Sequence, residues 1–331
     1  MEKRDFHIEV GDRLGRPHTT RIAATVFIPD AERLHQPPIV VFASPGGGYG
    51  RRYFDLPPFN GEAYSQAKHH VAAGFVVVAY DHLGVGDSTC PENEELSNET
   101  IAAANDAAVR ALIEMFEGGT ISSRLPPLKD IFKIGMGQSL GGCLTIMMQA
   151  AHRTFDAIVP LASSTLQGVL PQPTEEARRA GIEGFVAAHS DTGKPPDDRA
   201  PASGVTDFIY PFFWDDTPRE ILDADQKGGF PVRETAPAWG SKTIPRCASI
   251  FMTPGHLIAS AASVEVPVFI GLGERDTCAD PLAEPASFVR SRDVSVFIVP
   301  RMAHMHNFAS TRRILWDRIV AWSKAVSGSK G

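Results

Sequence analysis

What this chain has little of narrows its chemistry before any motif is read. Only four of its 331 residues are cysteine: Cys90, Cys143, Cys247 and Cys278. They are widely scattered and form no C-x-x-C pair, which argues against a disulfide framework and against a thiolate metal site. Reduced thiols, a cytoplasmic location and no bound metal are the expectation. No apolar run approaches the roughly 20 residues of a membrane span. The opening residues, Met1 to His7, lack the apolar stretch of a signal peptide. Long basic runs are also missing, and the formal net charge is −7 with a pI near 5.9. Neither nucleic acid nor an anionic membrane surface is therefore an expected partner. Oligomeric state leaves no signature in the sequence.

What is present is apolar content, 43% of residues, ample for a sizeable core. Residues 5–10 and 18–29 alternate apolar and polar, as half-buried antiparallel strands do, with a hairpin turn expected across 11–17. The pattern then changes to continuous apolar runs at 39–43, 75–79, 131–134, 157–161, 266–270 and 294–299. Such runs mark strands buried on both faces of a parallel sheet. Helical segments alternate with them at 61–73, 98–117 and 140–151, and a last one carries Leu315, Ile319, Trp322 and Val326 on one face. Alternating strand and helix predicts an α/β fold: a mostly parallel, eight-stranded, doubly wound sheet flanked by helices.

The alternation fails between 163 and 263. This stretch holds eleven prolines and an aromatic cluster that includes Phe208, Tyr210, Phe212, Phe213 and Trp214. We expect a mainly helical cap here, over the carboxyl edge of a core domain made of residues 1–162 and 264–331.

The apolar run at 131–134 leads into Gly135-Met136-Gly137-Gln138-Ser139-Leu140-Gly141-Gly142. A strand, a serine between two glycines at ±2, and a helix make the G-x-S-x-G nucleophile elbow. The chain must reverse sharply at the serine, and only very small residues fit on either side of it. A serine hydroxyl is a poor nucleophile unless a base takes its proton and a carboxylate orients the base. On such a sheet the carboxylate and the histidine follow the last two strands. The first of those loops offers Glu274, Asp276 and Asp280. Asp276 lies nearest the strand end, Asp280 precedes Pro281 as a helix cap would, and Glu274 reads as solvated. The second offers His304 and His306. His304 is nearer the strand end and is the expected base, with His306 expected to line the site. The backbone N–H of Leu140 is one oxyanion donor, and the glycine run Gly46-Gly47-Gly48 after the first parallel strand is placed to supply another.

With these loops in order, the chain resembles the α/β-hydrolase superfamily. The segment Tyr80 to Ser88 is similar to the family's D-x-R-G-x-G-x-S, with Leu83 where arginine is common. The glycine run resembles the three-glycine oxyanion loop of certain esterases and lipases, with Pro45 where those carry histidine. On that likeness Gly47 and Gly48 are the expected loop donors. Serine at the elbow is unlike the branches that use aspartate or cysteine there. The resemblance implies a cofactor-independent carboxylic ester or lactone hydrolase working through an acyl-enzyme on Ser139. Carbon–carbon bond hydrolysis or acyl transfer on the same residues is the alternative, and a non-catalytic ligand-binding relative is the alternative from another class. The expected partner is a mainly apolar small molecule, with Tyr49, Tyr53, Phe212, Trp214 and His306 as its expected contacts.

Overall fold

The computed structural model describes residues 1–328 with the exception of 18, 93, 94, 178, 180–207, 231 and 232. Eight strands form one sheet: β1 (Glu2–Glu9), β2 (Arg21–Ile28), β3 (Ile39–Ser44), β4 (Val76–Tyr80), β5 (Phe132–Gln138), β6 (Ala157–Leu161), β7 (Val268–Arg275) and β8 (Val294–Ala303). Their spatial order is β1-β2-β4-β3-β5-β6-β7-β8. β2 runs antiparallel to both β1 and β4, and every other pairing is parallel.

The continuous apolar runs have the cause expected of them, because the central strands are covered on both faces. In β3, Val40 and Phe42 enter one core layer while Ile39, Val41 and Ala43 enter the other. The helices in chain order are α1 (Gly11–Leu14), α2 (Gln66–Ala72), α3 (Asn98–Glu117), α4 (Leu140–His152), α5 (Ile209–Phe212), α6 (Arg219–Gln226), α7 (Ile258–Ala262) and α8 (Arg312–Ser327). Ile101, Ala104, Ala108 and Leu112 of α3 and Leu144 of α4 fill the first layer. Leu315, Ile319, Trp322 and Val326 of α8 fill the second. Ser97 caps α3 by accepting from Thr100 N at 3.1 Å.

Two local expectations shift. The turn across 11–17 contains the single helical turn α1, ended by Gly15 at φ 62°. The helix expected from residue 61 starts only at Gln66, where Ser65 Oγ accepts from Lys68 N. Gly61, at φ 76°, holds the preceding segment in a turn.

The described residues between β6 and β7 contribute no strand to the sheet. They hold α5, α6, a 3-10 stretch at Arg246–Met252, and α7. Leu257 and Ala261 of the last part share a core layer with α3 and α4. Much of the segment expected to form the cap, residues 180–207 with Pro195, Pro196 and Pro201, lies outside the described residues. No helix among the described residues is long and apolar enough to cross a membrane.

Two fully buried histidines give the fold an acid-side weakness. His70 donates from Nδ1 to Gln66 O at 2.9 Å, and its Nε2 has no partner. His82 donates from Nε2 to Pro45 O at 2.8 Å and accepts Asn105 Nδ2 at 2.9 Å. Burial pushes both down to about 4. Below their ordinary pKa of about 6.5 the unfolded chain binds protons that the folded chain does not, so these two histidines lower stability as pH drops from about 6.5 to about 4, and their effect levels off below that. The loss is about 3 kcal/mol per histidine. Urea midpoints measured from pH 7 to 4.5 check this, and His70→Gln should flatten the decline.

Candidate active site

The elbow is built by steric exclusion. Ser139 sits at φ 54°, ψ −118°, a conformation that costs a non-glycine residue about 1–3 kcal/mol. Its surroundings hold it there. Ser139 N donates to Leu161 O of β6 at 2.7 Å, and Ser139 O accepts from Cys143 N of α4 at 3.0 Å. A Cβ on Gly137 would lie 2.1 Å from Gly141 O, and one on Gly141 would lie 2.2 Å from Ser44 O. Both obstacles are backbone, so neither glycine tolerates a side chain without moving β3 or α4.

Around Ser139 a continuous hydrogen-bonded chain forms. Its Oγ lies 3.0 Å from His304 Nε2. His304 Nδ1 lies 2.8 Å from Asp276 Oδ1. With a neutral imidazole, both contacts are satisfied when Ser139 donates to Nε2 and Nδ1–H donates to the carboxylate. Asp276 follows the last residue of β7 directly, and His304 follows the last residue of β8, so two adjacent strand ends deliver them. Gln138 Nε2 donates to His304 O at 3.0 Å and ties the histidine loop to the elbow.

Asp276 is buried and accepts four bonds: from His304, from Thr277 N at 2.8 Å, from Gly273 N at 2.8 Å, and from His306 Nε2 at 2.7 Å. Burial pushes its pKa up, but the neighbouring His306 and the bonds from both histidines outweigh it and hold the carboxyl far below its usual range. His306 Nε2 donates to the carboxylate, and its Nδ1 is buried with no hydrogen-bond partner among the described residues.

The other two acids of the β7 loop are engaged elsewhere. Glu274 accepts Arg301 N at 2.8 Å in an exposed position, and Asp280 accepts from Leu282 N and Ala283 N at 3.2 Å.

Ser139 and His304 open onto a cavity of about 560 Å³. Its wall is mainly apolar, with Leu96, Leu140, Phe212, Ile244, Phe251 and Met252, and its only full-time charges among the described residues are Lys242 and Arg246. Gly47 and Leu140 line the same cavity as Ser139. Leu140 N, at the first position of α4, has no protein acceptor among the described residues. Gly48 does not reach the wall. It takes φ 79°, and its carbonyl accepts Ser241 N at 2.9 Å.

Of the expected substrate contacts, only Phe212 lies on the wall, edge-on to His304 with ring centroids 4.8 Å apart. Tyr49, Tyr53, Trp214 and His306 are placed elsewhere. The Tyr49 hydroxyl donates to Asp225, Tyr53 accepts Asn307 N at 3.0 Å, Trp214 stacks under the Arg275 guanidinium, and His306 is spent on Asp276. The two tyrosines fill the layer beneath the glycine loop, where their area is worth more than at a wet wall. Phe251 of the insertion's aromatic cluster lies on the wall with Ile244 and Met252, which no sequence period marks as facing inward.

A family profile described as Alpha/beta hydrolase family matches residues 40–315. No curated protein matches the chain. Among solved structures, a soluble variant of monoglyceride lipase from Saccharomyces cerevisiae is 14% identical, with a TM-score of 0.62 over 92% of each chain. Proline iminopeptidase from Mycobacterium smegmatis is 16% identical, with a TM-score of 0.60 over 99% of this chain and 100% of that one. A lipase in its open form is 18% identical, with a TM-score of 0.58 over 98% and 99%. At such identities these neighbours speak for the fold alone. The profile spans five of the six parallel strands entirely, part of the sixth, and every residue of the serine, aspartate and histidine loops, and on that match the chain belongs to the alpha/beta hydrolase family.

Proposed function

We propose that this protein is a serine hydrolase of carboxylic esters or lactones. The observation that carries the reading is the unbroken chain Ser139 Oγ–His304–Asp276 at the floor of an apolar cavity. In the proposed course His304 Nε2 takes the serine proton as Oγ attacks the acyl carbon, then returns it to the leaving alcohol. A water, deprotonated by the same nitrogen, cleaves the acyl-enzyme. Asp276 fixes the histidine tautomer and stabilises the imidazolium. Leu140 N–H and, from the glycine loop, Gly47 N–H face the developing oxyanion, each worth about 3 kcal/mol to the transition state. Gly48 supplies the loop's positive-φ turn. Ile244, Phe251 and Met252 of the insertion line the cavity alongside the sheet domain's contribution.

The cavity volume and wall fit a medium-sized apolar acyl or alcohol group. The lipase neighbours are compatible with this, though one neighbour is a peptidase.

A fluorophosphonate is expected to label Ser139 in the folded protein, identified by mass spectrometry of the modified peptide. Across p-nitrophenyl esters, kcat/KM is expected to rise from acetate to hexanoate. Absence of labelling would favour a non-catalytic binding protein, and preference for acetate alone would contradict a large apolar pocket. Transfer to an added alcohol in preference to water would mark an acyltransferase.

A further inference from the structure

The glycine loop beside Ser139 is not held by the sheet domain alone. Residues 239–241 of the insertion lie along it. Gly50 N donates to Trp239 O at 2.9 Å, Ser241 N donates to Gly48 O at 2.9 Å, and Tyr49 forms an antiparallel bridge with Gly240. Behind this short ladder sits an ion pair whose side chains are both fully buried: Arg233 Nη2 lies 3.3 Å from Asp225 Oδ2. Asp225 also accepts from the Tyr49 hydroxyl and from Trp239 Nε1, each at 2.8 Å. Arg233 Nε reaches Gly48 O at 3.4 Å, and Nη1 donates to Asp225 O. Neither residue touches the cavity wall.

A buried ion pair is an expensive way to fill space, since apolar residues of the same volume serve stability as well or better. What this pair does that apolar residues cannot is fix a backbone carbonyl and a tyrosine hydroxyl of one particular loop. We propose that Arg233 and Asp225 are positioning residues for the reaction: together they hold loop 46–50 in the conformation that turns Gly47 toward Ser139. The inference rests on the reading of Ser139 as nucleophile and Gly47 as oxyanion donor. Gly47 is one residue from the carbonyl that Arg233 engages, so a slackened loop displaces the donor directly. A displacement near 1 Å costs on the order of 100-fold in rate.

The test compares Arg233→Met, Arg233→Lys and Tyr49→Phe with the parent protein. Fluorophosphonate titration counts competent sites, so that kcat can be expressed per site on p-nitrophenyl butyrate. The affinity of an alkyl trifluoromethyl ketone, which adds to the serine and places its oxygen in the oxyanion position, is measured alongside. Arg233→Met is expected to lower per-site kcat by about 30-fold, with KM within about two-fold and a matching rise in the ketone's Ki. Arg233→Lys keeps the charge for Asp225 but not the fork that spans Asp225 and Gly48, so it is expected to restore the number of sites and not the per-site kcat. Tyr49→Phe removes one bond to Asp225, is the mildest change, and is expected to lower per-site kcat about five-fold; it carries the test if Arg233→Met fails to fold. Variants that lose only titratable sites, with per-site kcat and Ki unchanged, would overturn the inference and leave a purely structural pair. Rescue of per-site kcat by lysine would overturn it too. If the parent protein itself is not labelled at Ser139, the hydrolase reading falls first and this inference with it.

Discussion

His304→Ala is expected to lower kcat for ester hydrolysis by about 10⁶-fold, and Ser139→Ala by a similar factor. The two losses should not add, because nucleophile and base act as one unit. His306→Ala should cost only on the order of 10-fold, the value of one hydrogen bond to a charged acceptor. The contrast tests which histidine is the base. Both are buried, both bond to Asp276, and they stand two positions apart. They differ in what their remaining nitrogen meets. His304 Nε2 faces Ser139 Oγ at 3.0 Å, whereas His306 Nδ1 is buried with no hydrogen-bond partner among the described residues. His306 therefore cannot take over proton transfer when His304 is removed. Single-turnover acylation measured with a chromogenic ester checks both variants, and a larger loss in His306→Ala would reverse the assignment.

Asp276→Asn is the second large effect, with an expected loss of about 10⁴-fold in kcat. Four N–H donors converge on this carboxylate, two on each oxygen. A carboxamide accepts on one side only. If its NH₂ replaces Oδ1, it faces His304 Nδ1–H and Thr277 N–H, and the base is driven into the wrong tautomer. If its NH₂ replaces Oδ2, it faces Gly273 N–H and His306. Neither orientation satisfies the site, so stability falls together with rate. The sign with pH follows from the depressed pKa of Asp276. Its charge adds stability in full above the unfolded-state value of about 4, and that stability drains away only as pH falls below it. The stability gap between the parent protein and Asp276→Asn should therefore be widest near neutral pH and narrow in acid, which denaturant titrations at pH 7 and pH 3 would measure. An unchanged gap would show that the carboxylate is not stabilised by its four donors.

How much of this was legible beforehand depended on whether the signal was local. The elbow was legible because backbone strain demands glycine at fixed offsets, and Gly137 and Gly141 each abut a backbone carbonyl. The central strands were legible because burial on both faces leaves no polar position, as in Ile39 to Ala43. Asp276 and His304 could be singled out because chain order and strand ends restricted the choice to a few residues. The hydrogen bonds that join them depend on how the fold sets the two strand ends side by side. Contacts made across the fold left no such trace. The missing arginine at Leu83 illustrates this. Leu83 is fully buried, and the guanidinium that pairs with Asp81 comes instead from Arg51, some thirty residues upstream. Tyr49 and Tyr53 adjoin the glycine loop in sequence, yet their rings turn beneath it into the core, a direction that proximity along the chain does not determine. Within the insertion, Asp225 of α6 converges with Arg233 and Trp239 of the segment that follows, and no spacing rule links them.

The ladder between residues 48–50 and 239–241 has a consequence for modularity. An insertion between two sheet strands looks like an exchangeable part, to be swapped while the sheet beneath is kept. Here the exchange boundary does not follow the sheet's edge. A graft that replaced residues 225–241 while keeping the host's glycine loop would remove the Trp239, Ser241 and Arg233 contacts to Gly48 and Gly50. The smallest unit that can be transplanted intact is therefore discontinuous, pairing residues 46–50 with 225–241. Changing either segment without the other breaks the contacts that join them.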